Sequence, residues 1–262
     1  MFARLKNFGI AASFIAGLAL PIAGPIAGPV AAQAAEFNDA QKKEMGEIVR
    51  QYLLTNPEVL RDAFQALEQK EKLAQLTQAK QAIVDKADDI FRADGDLVIG
   101  NPYGKTTMVE FFDYNCGFCK RALPDVLRLI AEDKDLKIVI KEFPILGAGS
   151  MFAARAAIAS RRQNKYHEFH LALAKKRGSV NEAAVLKVAL GLGLNMDKLQ
   201  ADMKSDEVTK IIQRNHAVAR ALNINGTPAF IVGDQLLPGA VGFETLSKTI
   251  KDVRENGACK VC

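Results

Sequence analysis

The sequence predicts an α/β frame that carries an inserted all-helical domain and follows an N-terminal helical segment. Three observations predict it. Two strand-like apolar runs, 107–112 and 136–143, flank a stretch with helical spacing, the pattern of a right-handed parallel crossover. Residues from 149 to about 220 then contain no convincing strand and are Ala-rich with a helical period. Beyond that block two short strands and one amphipathic helix complete the frame.

The chain opens on a targeting pattern. Arg4 and Lys6 give a basic start, residues 8–20 an apolar run, and Ala32-Gln33-Ala34 a small-x-small cleavage site, so 1–34 reads as a signal peptide. An uncleaved anchor is the alternative, because no charge falls between Lys6 and Glu36. Pro21, Pro25 and Pro29 argue against a continuous spanning helix. Export, to the periplasm, places the thiols where they can oxidise. Removing 34 of 262 residues leaves 228, enough for one sizeable domain and an accessory element. These hold 33 basic and 30 acidic residues, and a net +3 is too mild to argue for nucleic acid.

Residues 35–95 read as a helical region. Asn38 or Asp39 caps a first helix, whose Met45, Ile48, Val49, Tyr52 and Leu53 recur at helical spacing. Asn56-Pro57 restarts it, Asn56 as cap and Pro57 at the first position. Leu60, Ala63 and Leu67 make one stripe; Leu76, Ala79, Ile83, Ala87 and Ile90 make another, beyond the polar run 68–72. A continuous helix over 57–91 would reach roughly 50 Å, at about 1.5 Å per residue, too long to wrap onto a small domain. A stalk that buries its stripe against copies of itself, in a dimer or trimer, fits better than a helical pair folded back on its own domain. Asp94-Gly95 ends it in a turn.

The frame domain spans 96–258. Residues 97–99 read as a short strand, 100–104 as a turn and 107–112 as a buried central strand. Leu123, Val126, Leu127 and Ile130 mark the helix that follows, and Ile138, Val139 and Ile140 make 136–143 a strand. The helical insertion, about 149–220, breaks near 177–179 and 191–193. Residues 229–232 return as a strand, Gly233-Asp234 suits a two-residue hairpin turn, and 235–237 pair back. Val241, Phe243, Leu246, Ile250 and Val253 line the last helix, and a tail at 259–262 ends in Cys259-Lys260-Val261-Cys262.

The chemistry concentrates where the central strand empties into Cys116-Gly117-Phe118-Cys119 and a helix begins at once. A thiolate at a helix N-terminus meets unpaired backbone N–H groups and the positive end of the helix dipole. That setting lowers a cysteine pKa from about 8.5 into a range of about 3.5–7.5. Cys116 is then the nucleophile, and Cys119, one turn in and more buried, the resolving thiol. A Cys₄ metal site shared with Cys259 and Cys262 is possible on spacing alone. Two features count against it: the first pair lies between strand and helix, and the chain looks exported. For the tail pair a terminal disulfide, a thiol-exchange pair and a metal-binding tail all stay open. His167 and His170, three apart on an amphipathic helix, read as one surface and one core-facing residue, and His216 has no partner in sequence.

The segment Glu110-Phe111-Phe112-Asp113-Tyr114-Asn115-Cys116-Gly117-Phe118-Cys119 resembles the active-site segment of the DsbA-like thiol:disulfide oxidoreductases. Asn225-Gly226-Thr227-Pro228-Ala229-Phe230 resembles their cis-proline loop, and residues 153–157 and 165–170 are similar to their insertion. The first helix and Asn56-Pro57-Glu58 resemble the N-terminal extension of the suppressor-of-copper-sensitivity protein C (ScsC)/Com1-like branch, whose members oligomerise and can act as isomerases or reductases. The resemblance implies a thioredoxin fold, a cis Thr227–Pro228 bond against the Cys116 sulfur, and substrate backbone bound at Thr227 and Pro228. It also implies an acidic residue beneath the site, Glu110, able to accept or relay the Cys119 proton. The chain departs from the strongly oxidising members in one respect. They place Pro-His between the cysteines where this chain has Gly117-Phe118, so no imidazolium supports the thiolate and a weaker oxidant is expected.

The expected function is that of a periplasmic thiol:disulfide oxidoreductase, an isomerase or reductase with oxidase capability, acting on unfolded or misfolded exported proteins. It needs no cofactor beyond the Cys116–Cys119 disulfide and no metal, but turnover needs a membrane redox partner of the DsbB or DsbD/ScsB type. The competing expectation is a copper-handling or metal-binding protein that uses its cysteine pairs.

Overall fold

The computed structural model describes residues 37–257; the leader at 1–34 and the tail cysteines Cys259 and Cys262 lie outside the described residues. Residues 37–61 and 62–257 separate into two compact units. In the first, helix α1 (Asp39–Thr55) starts at a reciprocal cap. Asn38 Oδ1 accepts from the Gln41 N–H at 3.0 Å, and Gln41 Oε1 accepts from the Asn38 N–H at 3.0 Å. No residue of α1 is buried: its apolar stripe of Met45, Ile48, Val49 and Tyr52 is exposed. Asn56 does not cap the next helix as the sequence suggests; its side chain donates back to the Tyr52 carbonyl at 2.9 Å and closes α1 instead.

Helix α2 (Glu58–Asp85) keeps Phe64, Leu67, Leu73 and Leu76 exposed and buries Ile83. The helix then breaks at Lys86, and α3 (Ala87–Phe91) buries Ala87, Ile90 and Phe91. The helical region expected over 35–95 therefore has two regimes of burial. Up to about residue 81 its apolar side chains are exposed or half-buried, whereas positions 83, 87 and 90, which share one helical face, enter the core.

Among the described residues the strands are β1 (Leu97–Gly100), β2 (Thr106–Phe112), β3 (Leu136–Glu142), β4 (Ala229–Val232) and β5 (Gln235–Pro238), in the order β1-β3-β2-β4-β5. The pair β2–β3 is parallel and every other pair antiparallel. Helix α4 (Gly117–Glu132) makes the crossover between the parallel strands. The insertion consists of α5 (Ala148–Ser160), a short 3₁₀ turn at Arg161–Gln163, α6 (Tyr166–Ala174), α7 (Glu182–Gly191), α8 (Met196–Met203) and α9 (Asp206–Ala221). After the β4–β5 hairpin, α10 (Phe243–Glu255) closes the frame. This is the thioredoxin fold with inserted helices that the resemblance implies.

The period-2 alternation of the strands sorts them into two cores. Met108, Phe112, Ile138, Ile140, Phe230 and Val232 face α4, α10 and the inserted helices. Val109, Phe111, Val139, Ala229 and Ile231 face the end of α2, α3 and the end of α9. Lys141 is the one fully buried lysine among the described residues, and it belongs to the second face. Its Nζ donates to Asp96 Oδ1 at 2.7 Å and to the Asp89 carbonyl at 2.7 Å, tying the turn after α3 to the sheet.

Candidate active site

Cys116 caps α4 with its own sulfur. Its backbone is extended, and its Sγ accepts from the Cys119 N–H at 3.4 Å. The thiol also donates to the Thr227 carbonyl at 3.0 Å, across 111 residues of sequence. Thr227–Pro228 is a cis peptide, and Pro228 is buried while Thr227 is partly exposed. The Cys119 thiol, hydrogen-bonded to Cys116, holds the Cys116 thiol down to about 5; hydrogen bonds from the Cys119 and Phe118 backbones assist, and burial opposes. Cys119 is fully enclosed, and burial pushes its thiol far up, with Cys116 and Glu110 adding to the effect. Both cysteines are free thiols. The two thiols are thus unequal: Cys116 loses its proton, and with it the bond to the Thr227 carbonyl, far more readily than Cys119 loses its own.

Glu110 projects from β2 into the core layer that contains both sulfurs. It is 1% exposed, and its Oε1 has no hydrogen-bond partner. Burial, then the Cys116 charge, pushes its carboxyl up to about 8. Cys116, Cys119, Glu110 and the Thr227–Pro228 loop are accordingly gathered at one end of the sheet. Phe118 is 58% exposed, and the Arg121 guanidinium lies 4.0 Å from its ring centroid. Phe118 also lines a cavity of about 340 Å³ with Asn225, Thr227, Pro228, Leu236 and Pro238. Neither the Phe118–Arg121 stack nor this cavity was apparent from the sequence.

The loop between β2 and α4 is fixed from behind. Asp113 Oδ2 accepts from the Ile145 and Leu146 N–H groups at 2.8 and 3.0 Å, and its Oδ1 accepts from the Asn115 N–H and the Ser150 hydroxyl at 2.7 Å each. Asn115 in turn bonds Val180 in both directions: its Oδ1 accepts from the Val180 N–H at 2.7 Å and its Nδ2 donates to the Val180 carbonyl at 3.0 Å. Lys120 Nζ donates to the carbonyls of Lys176 and Gly178, both at 2.9 Å. Helix α5 approaches so closely that a Cβ on Gly149 would stand 2.6 Å from the Val180 carbonyl oxygen.

A second buried polar group lies in the same core layer as the thiols. The Tyr114 hydroxyl donates to Glu142 Oε1 at 2.7 Å and lies 2.9 Å from His170 Nδ1. The Tyr166 hydroxyl reaches the same two atoms at 3.4 and 3.3 Å. His170 is fully buried and held neutral, down to about 3, by burial, whereas His167 is exposed. His216 packs against Phe143 with the rings tilted by 60° and their centroids 4.8 Å apart. The sequence held one signal for this cluster: the acidic Glu142 follows the apolar run Ile138-Val139-Ile140 at the end of its strand. Among the described residues no group of three or more His, Cys, Asp or Glu side chains is placed to hold a metal.

Comparison with known proteins matches this geometry. Residues 107–251 match the DSBA-like thioredoxin domain, and residues 41–74 match the copper resistance protein ScsC N-terminal domain. The chain is similar to a thioredoxin-like oxidoreductase from Silicibacter pomeroyi at 46% identity, covering 64% of this chain and 97% of that one with a TM-score of 0.63. It is similar to Proteus mirabilis ScsC in a transitional conformation at 30% identity, covering 84% and 100% with a TM-score of 0.63. A periplasmic thioredoxin-like protein from Salmonella enterica serovar Typhimurium shares 30% identity, covering 63% and 93% with a TM-score of 0.58. The chain spans about a quarter of the length of the curated antiporters it matches: it is 26% identical over 159 residues to Na(+)/H(+) antiporter NhaA 3 of Salinispora tropica, 60% of this chain and 24% of that protein.

Proposed function

We propose, from the premise that this chain belongs to the DsbA-like thioredoxin family and carries the N-terminal domain of ScsC proteins, that it rearranges disulfides in exported proteins. The observation that carries this reading is the inequality of the two sulfurs. Cys116 is held down to about 5 at the start of α4, beside Thr227–Pro228, while Cys119 is buried and protonated. Cys116 thiolate attacks a client disulfide and forms a mixed disulfide. A client thiol then resolves it, which is isomerisation, or Cys119 does, which is net reduction. Oxidation is the reverse of the second route. Glu110 serves as acid and base for Cys119, and Thr227 and Pro228 hold the extended client chain.

The leader pattern at 1–34 and the likeness to a periplasmic protein support a periplasmic location. The exposed apolar stripes of α1 and α2 support self-association into a dimer or trimer, with 35–95 as the oligomerisation region of the chain and 96–258 as its catalytic domain. Turnover requires a membrane redox partner of the DsbB or DsbD/ScsB type to reset the cysteines. The match to a copper resistance protein domain keeps copper handling by the cysteine pairs as the competing reading. Cys116→Ala separates the two. We expect the variant to lose refolding of a scrambled-disulfide client while Cu(I) affinity stays as in the parent chain. Undiminished refolding activity in the variant would sink the enzymatic reading.

A further inference from the structure

Glu142 takes no part in the mechanism above, yet its placement connects it to the thiols. On the parallel ladder Glu110 pairs with Ile140 and Phe112 with Glu142, so the two carboxyl side chains are diagonal neighbours on one face of the sheet. That face is the core layer of Cys116 and Cys119. The intervening Lys141 turns to the opposite face and is committed to Asp96. With strands about 4.8 Å apart and a rise of about 3.3 Å per residue, such neighbours stand about 8 Å apart at the backbone, within reach of long side chains. Each carboxyl keeps one buried oxygen unpartnered, Glu110 Oε1 and Glu142 Oε2. The other oxygen of Glu142 is met by the Tyr114 and Tyr166 hydroxyls. Tyr166 in turn lines a surface cavity of about 290 Å³ with Asn164, His167 and Glu168.

We propose that Glu142 and Tyr166 extend Glu110 into a relay that carries the Cys119 proton from the buried thiol to the surface cavity beside His167. The proposal rests on the disulfide-exchange reading. In the mixed disulfide Cys116 carries no charge, which removes one of the two effects that hold Glu110 protonated; the Glu110 carboxyl ionises, and its carboxylate takes the proton as the Cys119 S–H bond breaks. The electron pair on that sulfur forms the new bond to Cys116 Sγ. The bond from Cys116 to the client sulfur breaks, and the client leaves as a thiolate with that bonding pair. The cysteine pair is oxidised by two electrons and the client disulfide is reduced by two. Glu110 then hands its proton to Glu142, which releases one through the Tyr166 hydroxyl to solvent.

The electrostatics favour this hand-over. Two carboxylates in one low-dielectric layer resist being ionised together, so a proton arriving on one loosens the proton on the other. Burial holds Glu142 well above the usual carboxylate range; the Tyr114 and Tyr166 hydrogen bonds oppose that, and the charges of Asp113 and Glu110 add to it. His170 of α6 is neutral, and Asn215 of α9 faces the strand, its Nδ2 donating to the Glu142 backbone carbonyl at 3.0 Å.

The test follows reduction of a symmetric chromogenic aromatic disulfide by the full reduced chain in stopped flow, across pH. The first chromophore leaves when Cys116 attacks and the second when Cys119 resolves. Glu142→Gln and Tyr166→Phe should leave the first phase and the Cys116 thiolate absorbance midpoint unchanged. They should slow the second phase about tenfold or more, within the span of general acid–base effects. The deficit should narrow above about pH 8, where Glu110 ionises unaided. Second phases that overlay the parent chain in both variants would overturn the relay. So would a Cys116 midpoint that shifts along with the rate, which marks a distorted thiol site. Should Glu142→Gln fail to fold, Tyr166→Phe decides on the same outcomes. A parent chain that releases neither chromophore would instead overturn the exchange reading itself.

Discussion

Burying a carboxyl without a counter-charge keeps it protonated, and Glu110 is such a carboxyl in the core layer of the two thiols, close enough to neutrality to release and retake its proton. Its carboxyl is held up to about 8 against an ordinary value of 4.5. Between those two values the folded chain keeps a proton that the unfolded chain has released, so this group's contribution favours the fold at low pH and is lost as pH rises toward 8. Glu110→Gln should therefore flatten part of the fall in stability between mildly acid and mildly alkaline solution, leaving the share due to Glu142. Thermal melts of the reduced parent and variant at several pH values check it, and parallel curves would refute it. At this scale Cys116, Cys119 and Pro228 were legible in the sequence because short local motifs mark them. The set Tyr114, Glu142, Tyr166 and His170 was not, since its members lie up to 56 residues apart and meet only when β3 and α6 pack.

Strand and helix identities followed from periodicity, and the two-face alternation of β2, β3 and β4 made each apolar run legible. The long helix was harder. Its second stripe, Leu76 to Ile90, looks uniform in sequence, but only its end enters the core, because packing against the sheet rather than helical period decides burial. The hold of the insertion on the active-site loop was also invisible, since Asn115 and Val180 are joined by hydrogen bonds that leave no pattern in the sequence. Gly149 reports on that hold. A methyl group there meets a backbone carbonyl at 2.6 Å, so either α5 or the 176–180 segment must move. Gly149→Ala should cost about 1–3 kcal/mol of stability in chemical denaturation, the usual range for overpacking. It should also slow thiol exchange by shifting Asn115. Unchanged stability and rate would mean that the segment yields freely.

For the whole molecule the open question is what the exposed stripes of α1 and α2 do. On the proposed reading they gather copies of the chain, so a truncated chain that begins at Gln75, and keeps Ile83, Ala87, Ile90 and Phe91 for its core, separates assembly from chemistry. The full chain should behave as an oligomer in light scattering and refold a scrambled-disulfide client. The truncated chain should be monomeric, reduce a small disulfide at a similar rate and refold the client poorly. Equal refolding by both would remove the stalk from the mechanism. On the same proposed reading the enclosure of Cys119 acquires a meaning in time. A resolving sulfur that is withheld, and must shed its proton through a buried carboxyl, gives the covalent encounter with a client a dwell period. A client with a free thiol close by rearranges and departs within that interval; one without such a thiol waits until Cys119 ends it. On the proposed disulfide-exchange reading, burial of one sulfur works as a timer that sorts clients by whether they can correct themselves.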